Sequence, residues 1–472
     1  MSKVMPAITV FTGDQIDRVH EYSLKILSTV GVRVDSKKAR QVFAQSDGVS
    51  LKDQRAYIRP ELVETAIKQA PSTIDVYDRK GCFAFRIGNP DENPTRFGVG
   101  VTNLFYQDPL TDNVEPFKRK HMVIAARLGQ ILKSFDLVST PGIVQDFPAE
   151  TADLYATLEL VTNTIKPIVL LVSNTQLFER VLDLIEALFD HFYTHPFVIP
   201  YFNPITPLVL NEETTDMMAI TIERGLPLIF SNYGMSGASA PITPAGTIAV
   251  LNAELLAGLV FAQLLKPGAP VILGSLPAAF DMQCMVSRYS PKSILLNLAC
   301  AEMMAHYELP HAGTSGSGTG WGPDLLASGT LWMNHLASCL GKAGLAPFVG
   351  GNFESLAFSP STVVYADYVI QRVREFVDGF KLDEGSVGLE EIASVGPAGN
   401  YLGTELTLKY CHEADYATEF WPILTLEQWQ SKGQPKAGDL LRKYASDLVN
   451  NLQAPENYEE LVAQGEEFIK DL

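Results

Sequence analysis

The chain predicts an α/β protein built on a (β/α)8 barrel at 96–382, with an α+β extension before it (1–95) and a helical, aromatic-rich segment after it (383–472). Three observations carry this. From Arg96 onward, short apolar runs alternate with helix-period stretches, the pattern of parallel strands joined by helical crossovers. The apolar runs stop at small or amide residues, as in His311-Ala312-Gly313-Thr314-Ser315 and Phe348-Val349-Gly350-Gly351-Asn352. Loops of that kind, after the carboxyl ends of strands, line the catalytic face of such a barrel. Finally, 472 residues that are 46% hydrophobic and 19% charged suffice for a large packed core with additions.

In order, strands are expected at 97–105, 135–140, 167–172, 197–202, 227–230, 270–273, 309–312 and 345–349. Helices are expected at 117–133, 148–163, 176–192, 211–224, 244–265, 291–307, 325–341 and 361–379. Pro141-Gly142, Ser173-Asn174, Asn203-Pro204, Ser231-Asn232-Tyr233-Gly234 and Gly274-Ser275 punctuate strand ends. Pro244 opens the longest helix. The competing fold, a doubly wound open sheet, calls for a G-x-G-x-x-G after an early strand. Here the Gly-rich stretch 315–322 follows the seventh strand instead, and it lacks the Lys of a phosphate loop.

In the extension, Ile16, Val19, Leu24, Leu27 and Val30 recur at near-helical spacing behind a capping Asp14, and Gly31 stops the helix. A second helix runs over 60–70 between Pro60 and Pro71, and 73–87 reads as a hairpin turning near Lys80-Gly81. After the barrel, 396–410 reads as a turn and short helix. Phe420, Trp421 and Trp429 seek an apolar surface, and two helices at 437–451 and 456–471 end the chain. This segment is expected to wrap the barrel or form a subunit interface, which makes a homo-oligomer the expected assembly.

The net charge of −18 argues against nucleic acid as a partner, since phosphate binding needs basic surface. It suits a cationic ligand or a basic protein, or solubility alone. No uninterrupted apolar run reaches the 18 or more residues of a membrane span, and the first residues lack the apolar core of a signal peptide. No membrane association and a cytoplasmic location are therefore expected. Cys82, Cys284, Cys300, Cys339 and Cys411 are scattered without a C-x-x-C pair, so they read as reduced thiols.

The residues expected at the strand ends are Asn103, Phe105, Tyr106, Thr140, Asn174, Asn203, Asn232, Tyr233, Ser275, Thr314, Ser315, Asn352, Phe353 and Glu354. They are amides, hydroxyls and aromatics. No His/Asp/Glu cluster has metal-ligand spacing, no G-x-S-x-G elbow appears, and no strand-end Lys suggests a Schiff base. Such a set suits a ligand with a fixed positive charge, because aromatic faces attract cations, and Glu354 supplies a counter-charge. Ordinary packing remains the competing role for each aromatic. His311 and His335 read first as core or loop histidines.

The runs ITPAGTIAVLNAELLAGLVFAQLLKPGAPVILGSLPAAFDM (242–282), SGSGTGWGPD (315–324), VGPAGNYLGTELTLKY (395–410) and IDRVHEYSLKILSTVGVRV (16–34) closely resemble the trimethylamine methyltransferase family. The likeness extends over nearly the whole chain. It implies a TIM barrel that moves a methyl group from an amine to the cobalt of a corrinoid carried by a separate small protein, with no metal or tightly bound cofactor in this chain. The founding enzymes insert pyrrolysine. This sequence has none and so resembles the non-pyrrolysine branch, some members of which demethylate quaternary amines such as glycine betaine. On that resemblance Phe105, Tyr106, Tyr233 and Phe353 are expected to cage the ammonium. Asn203, Asn232, Thr314 or Ser315 would hydrogen-bond a substrate carboxylate, with His311 a further candidate. No catalytic acid is assigned: a quaternary ammonium already carries the charge that lets a neutral amine leave, so positioning and desolvation suffice. Two alternatives stay open, a non-catalytic quaternary-amine-binding barrel and a methyltransferase with another acceptor such as tetrahydrofolate.

Overall fold

A computed structural model of the chain describes residues 3–313, 315–411 and 420–471. Eight parallel strands form its centre: β1 Arg96–Val99, β2 Leu137–Ser139, β3 Ile168–Leu170, β4 Val198–Phe202, β5 Leu228–Asn232, β6 Val271–Ser275, β7 His311–Gly313 and β8 Leu345–Val349. Each pairs with the next in chain order. Ala312 opposite Leu345 and Leu345 opposite Arg96 join β7 to β8 and β8 to β1, so the sheet is closed. Helices α1 Arg119–Ile131, α2 Ala152–Asn163, α3 Phe178–Leu188, α4 Glu212–Glu223, α5 Pro244–Leu265, α6 Pro291–His306, α7 Leu325–Leu340 and α8 Pro360–Asp378 follow the strands in turn. This is the (β/α)8 barrel that the sequence predicts.

Strand alternation sorts the side chains into two layers. Leu137, Val169, Ile199, Ile229, Ile272, Ala312, Leu345 and Phe348 meet inside the barrel. The neighbouring residues face outward to the helices, as Phe230 does with Phe261 of α5 in the larger core. The hairpin Ile74–Tyr77/Phe83–Ile87 adds Ile74, Val76, Phe85 and Ile87 to the interior cluster. Ile87 lies beside Gly344, just before β8, so the hairpin plugs the amino-terminal end of the barrel.

The helix α5 is apolar on every side because it is covered on every side. Helices Gly13–Thr29, Lys37–Ala44 and Pro60–Gln69 of the amino-terminal region lie across it. Phe43 meets Phe261 at a ring distance of 5.7 Å, and Asn252 donates to Ser23 Oγ at 2.9 Å. By length and hydropathy this helix could cross a bilayer, yet 83% of its apolar window is buried inside the protein.

Two expectations change. The first strand stops at Val99 rather than Phe105. Gly100 takes φ +114°, with Ser139 O only 2.5 Å from where a Cβ would stand, so the chain turns there and Phe105–Gln107 becomes a separate strand at the rim. Further, the amino-terminal region holds a helix, Lys37–Ala44, and strands Val49–Lys52 and Arg55–Ile58 that the sequence did not announce. These strands join Val32–Val34, which pairs with Val209–Leu210 after β4.

At the other end of the chain, helix Ala437–Asn450 packs on α8, and helix Tyr458–Lys470 packs on α2 and α3. Gly465 permits the second contact, since a Cβ there would lie 2.3 Å from Leu158. Arg119 ties that helix down by pairing with Glu159 at 2.6 Å and Glu466 at 2.9 Å. Trp421 packs edge-on against Tyr368 at 5.2 Å.

Candidate active site at the barrel mouth

The carboxyl ends of the strands open under three loops. After β6, the chain forms a small sheet from Ala278–Asp281 and Val286–Arg288, joined by Met235–Ser236 from the loop after β5. After β7 it runs through the Gly-rich segment, and after β8 it passes through Gly351–Asn352 to Ala357–Phe358. The last two loops are stitched together: Gly318 N–H donates to Gly351 O at 2.9 Å and Phe353 N–H to Gly320 O at 2.9 Å. Gln107 braces them from the rim strand. Its amide donates to Trp321 O at 2.7 Å and accepts from Asn352 Nδ2 at 2.8 Å, while Thr362 Oγ1 donates to Asn352 Oδ1 at 3.0 Å. Every side-chain amide group in this brace is paired, so the loops are held in one arrangement.

Between these loops lies a cavity of about 700 Å³ whose wall includes Ser287, Arg288, Tyr289, Trp321, Phe353 and Glu354. Three aromatic residues thus line one space with one glutamate and one arginine. Glu354 accepts the backbone N–H of Tyr289 at 3.2 Å. Burial holds its pKa above the ordinary range for a glutamate, against the pull of that hydrogen bond and of the Arg288 charge. Tyr233 stands behind this wall, within hydrogen-bonding reach of Ser287 and Tyr289; burial raises its pKa, and those two groups temper the rise. Phe353, Glu354 and Ser355 are successive non-glycine residues at positive φ, 53°, 55° and 76°, a conformation that costs each of them energy.

Of the residues expected to bind substrate, the structure brings Phe353 and Glu354 to the cavity and sets Tyr233 against its wall. Phe105 is exposed on the rim strand, and its N–H donates to Leu356 O at 3.0 Å. Asn203 is exposed at the mouth and donates to Ser231 O at 2.8 Å and Tyr201 Oη at 3.3 Å.

Neither of these two lines the cavity, and three others turn away from it. Tyr106 alternates with Phe105 and turns inward, stacking on His121 at 4.0 Å in the helix layer. Asn232 follows Phe230 to the outside of β5. There it donates to Leu251 O and Glu254 Oε2 and accepts from Ser275 Oγ at 2.7 Å. His311 begins β7, with its ring beside Gly313 and Asn297 of α6. Burial pushes its pKa down to about 4, so it is neutral near pH 7 and gives a carboxylate no charge.

Thr314 lies outside the described residues, as does the side chain of Ser315. Among the remaining strand-end residues, Asn103 donates to Ser355 O, Thr140 links β2 to Leu171, and Asn174 accepts from Gln176 N at the start of a short turn of helix.

Trp321, Tyr289 and Arg288 are the residues that reading strand ends missed. They reach the mouth from loops that fold back over it. The run Gly320-Trp321-Gly322 carried a signal nonetheless: a tryptophan flanked by glycines in a polar loop, here 67% exposed, is placed to present its face to something outside the core.

The sequence profile described as trimethylamine methyltransferase (MTTB) matches residues 1–471. A trimethylamine methyltransferase of Desulfitobacterium hafniense is 26% identical over 407 residues, 85% of this chain and 81% of that one. A glycine betaine methyltransferase of Desulfitobacterium hafniense is 26% identical over 429 residues, 89% of this chain and 87% of that one. Among solved structures, the monomethylamine methyltransferase of Methanosarcina barkeri shares the fold with a TM-score of 0.54 at 9% identity, covering 98% of this chain and 88% of that one. The profile match spans the barrel, its amino-terminal cover and its carboxyl-terminal helices alike, and the chain accordingly belongs to the trimethylamine methyltransferase family and is a methyltransferase.

Proposed function

We propose that this methyltransferase takes a methyl group from a quaternary amine, a betaine such as glycine betaine, and delivers it to the Co(I) of a corrinoid carried by a separate protein. One observation carries the reading: Tyr289, Trp321 and Phe353 line the mouth cavity together with the half-buried Glu354. Aromatic faces and one carboxylate suit a methylated ammonium, which is cationic yet too poorly hydrated to need a full hydrogen-bond shell. The named relatives that act on trimethylamine and on glycine betaine support the substrate class.

The corrinoid supplies the nucleophile, and the chain's own residues do the rest. The aromatic walls strip water from the methylated nitrogen and fix the direction of one methyl group, which converts a bimolecular displacement into a positioned one. Glu354 offsets the ammonium charge on binding. The amine then leaves neutral, so no residue has to donate a proton to it. Met282, Met285, Trp321 and Leu325 are 63%, 70%, 67% and 91% exposed, and this apolar rim suits the docking of the corrinoid protein over the mouth.

The test mixes the protein with its cognate corrinoid protein, or with reduced cobalamin, and a panel of amines. The loss of the Co(I) absorption and the demethylated amine are followed together. Turnover with a betaine and not with trimethylamine supports the reading. Turnover with trimethylamine alone, or binding without turnover, overturns it.

Two further features complete it. Helices Glu384–Val387, Leu389–Val395 and Glu405–Tyr410 contain no buried residue, yet this stretch exposes Leu389, Leu402 and Leu408 by more than half. A second copy of the chain is the proposed cover, which light scattering tests as a mass above that of one chain. The five cysteines are all free thiols, which fits the reducing cytoplasm.

A further inference from the structure

From the mouth cavity we infer that Arg288 is the anchor for a substrate carboxylate, so that the site selects a zwitterion over a plain methylated cation. This rests on the quaternary-amine reading of the same cavity and deepens it. Among the described residues lining the cavity, Arg288 is the only cation and Glu354 the only acid.

A site shaped for trimethylamine or another simple cation gains nothing from a guanidinium in its wall, which would repel the ligand. A methylated ammonium joined to a carboxylate gains from both charges. The ammonium lies toward Glu354 and the aromatic faces, and the carboxylate toward Arg288.

The local structure leaves the guanidinium able to do this. Arg288 ends the strand Val286–Arg288, opposite Ala279. Its side chain is 60% exposed and meets Asp281 through one nitrogen at 3.4 Å, long for a charged pair. Asp281 is held independently. Its Oδ1 accepts the N–H of Gln283 at 2.9 Å and that of Cys284 at 3.1 Å, so its charge stays satisfied when Arg288 turns to a ligand. A guanidinium has five donors in a planar fork and can grip a carboxylate with two of them while keeping an edge on Asp281.

The expected carboxylate partners Asn232 and His311 stand elsewhere. The charge that a carboxylate needs is on the hairpin after β6 rather than at a strand end.

Calorimetric titration with glycine betaine and with choline tests the inference without requiring turnover. Choline shares the trimethylammonium head and carries a hydroxyl in place of the carboxylate. The wild-type protein should bind glycine betaine more tightly than choline. Arg288→Gln should weaken glycine betaine about tenfold or more and leave choline unchanged or tighter, and Arg288→Lys should recover part of the loss.

Equal weakening of both ligands, unchanged betaine binding in Arg288→Gln, or no betaine binding by the wild type would each overturn it. The corrinoid assay run beside the titration separates the two readings. Betaine held through Arg288 without methyl transfer overturns the methyltransfer reading and leaves the anchor standing. Transfer from betaine that is indifferent to Arg288→Gln does the reverse.

Discussion

The carboxylate of Glu354 accepts the backbone N–H of Tyr289 at 3.2 Å, which fixes the acid of the mouth cavity to the backbone of one of its aromatic walls. Because burial raises its pKa, this carboxyl takes up its proton at a higher pH than an exposed glutamate does. The affinity for any quaternary ammonium should therefore fall as pH is lowered toward that raised range. Glu354→Gln should raise KM for glycine betaine and choline alike by about tenfold and abolish the acid limb. A KM–pH profile of both proteins checks it, and an acid limb that persists in the variant would assign it to another group.

Trp321 is exposed and packs little, so the proposed function assigns its ring to binding rather than to folding. Trp321→Ala should raise KM about three- to tenfold, the size of a cation–π contact of roughly 1 kcal/mol, with the melting temperature unchanged. Steady-state kinetics and a thermal melt read the two effects separately. A lowered melting temperature would show that the ring is structural.

Glu254 of α5 accepts three donors, Thr206 Oγ1 at 2.8 Å, Leu208 N at 2.7 Å and Asn232 Nδ2 at 3.0 Å. These favour its anion, but burial outweighs them and lifts its pKa to about 7. An unfolded glutamate releases its proton near 4.3. Between those values the folded chain holds a proton that the unfolded chain has lost. Stability thus falls as pH rises through that window and levels off above it. Glu254→Gln should flatten this dependence and cost about 1–3 kcal/mol at pH 5, because an amide nitrogen cannot accept the hydrogen bond that the hydroxyl oxygen of the protonated carboxyl still can. Guanidinium unfolding at a series of pH values measures both.

Gly465 lets the last helix seat on α2. Gly465→Val should cost about 1–3 kcal/mol by overpacking against Leu158 while leaving kcat intact, since that helix lies outside the barrel wall and none of its residues lines the cavity. Denaturation midpoints and turnover numbers from the same preparation decide it.

The sequence made the barrel legible because its strands are Val-, Ile- and Leu-rich runs set off by Pro, Gly and Asn, and because α5 is long and mostly apolar. The rim was less legible. Strands such as Met235–Ser236 and Val286–Arg288 are too short to show a period. At the site, sequence position located Phe353 and Glu354 but could not say which way a strand end faces. Asn232 and Tyr106 each face the opposite way from their chain neighbours, since a shift of one residue moves a side chain to the opposite face. Tyr289, Arg288 and Trp321 lie further along loops whose return over the mouth depends on hydrogen bonds such as Gln107 to Trp321 O, which no local pattern encodes.

The hairpin of Ile74 to Ile87 stoppers the amino-terminal end of the barrel, which leaves the proposed reaction to the mouth. With donor and acceptor both using it, the proposed reaction acquires a compulsory order. The amine enters first, the corrinoid protein closes over it, and the demethylated amine departs only after the two proteins separate. Initial-rate patterns should then be sequential, and excess corrinoid protein should inhibit by trapping chains whose cavity is still empty.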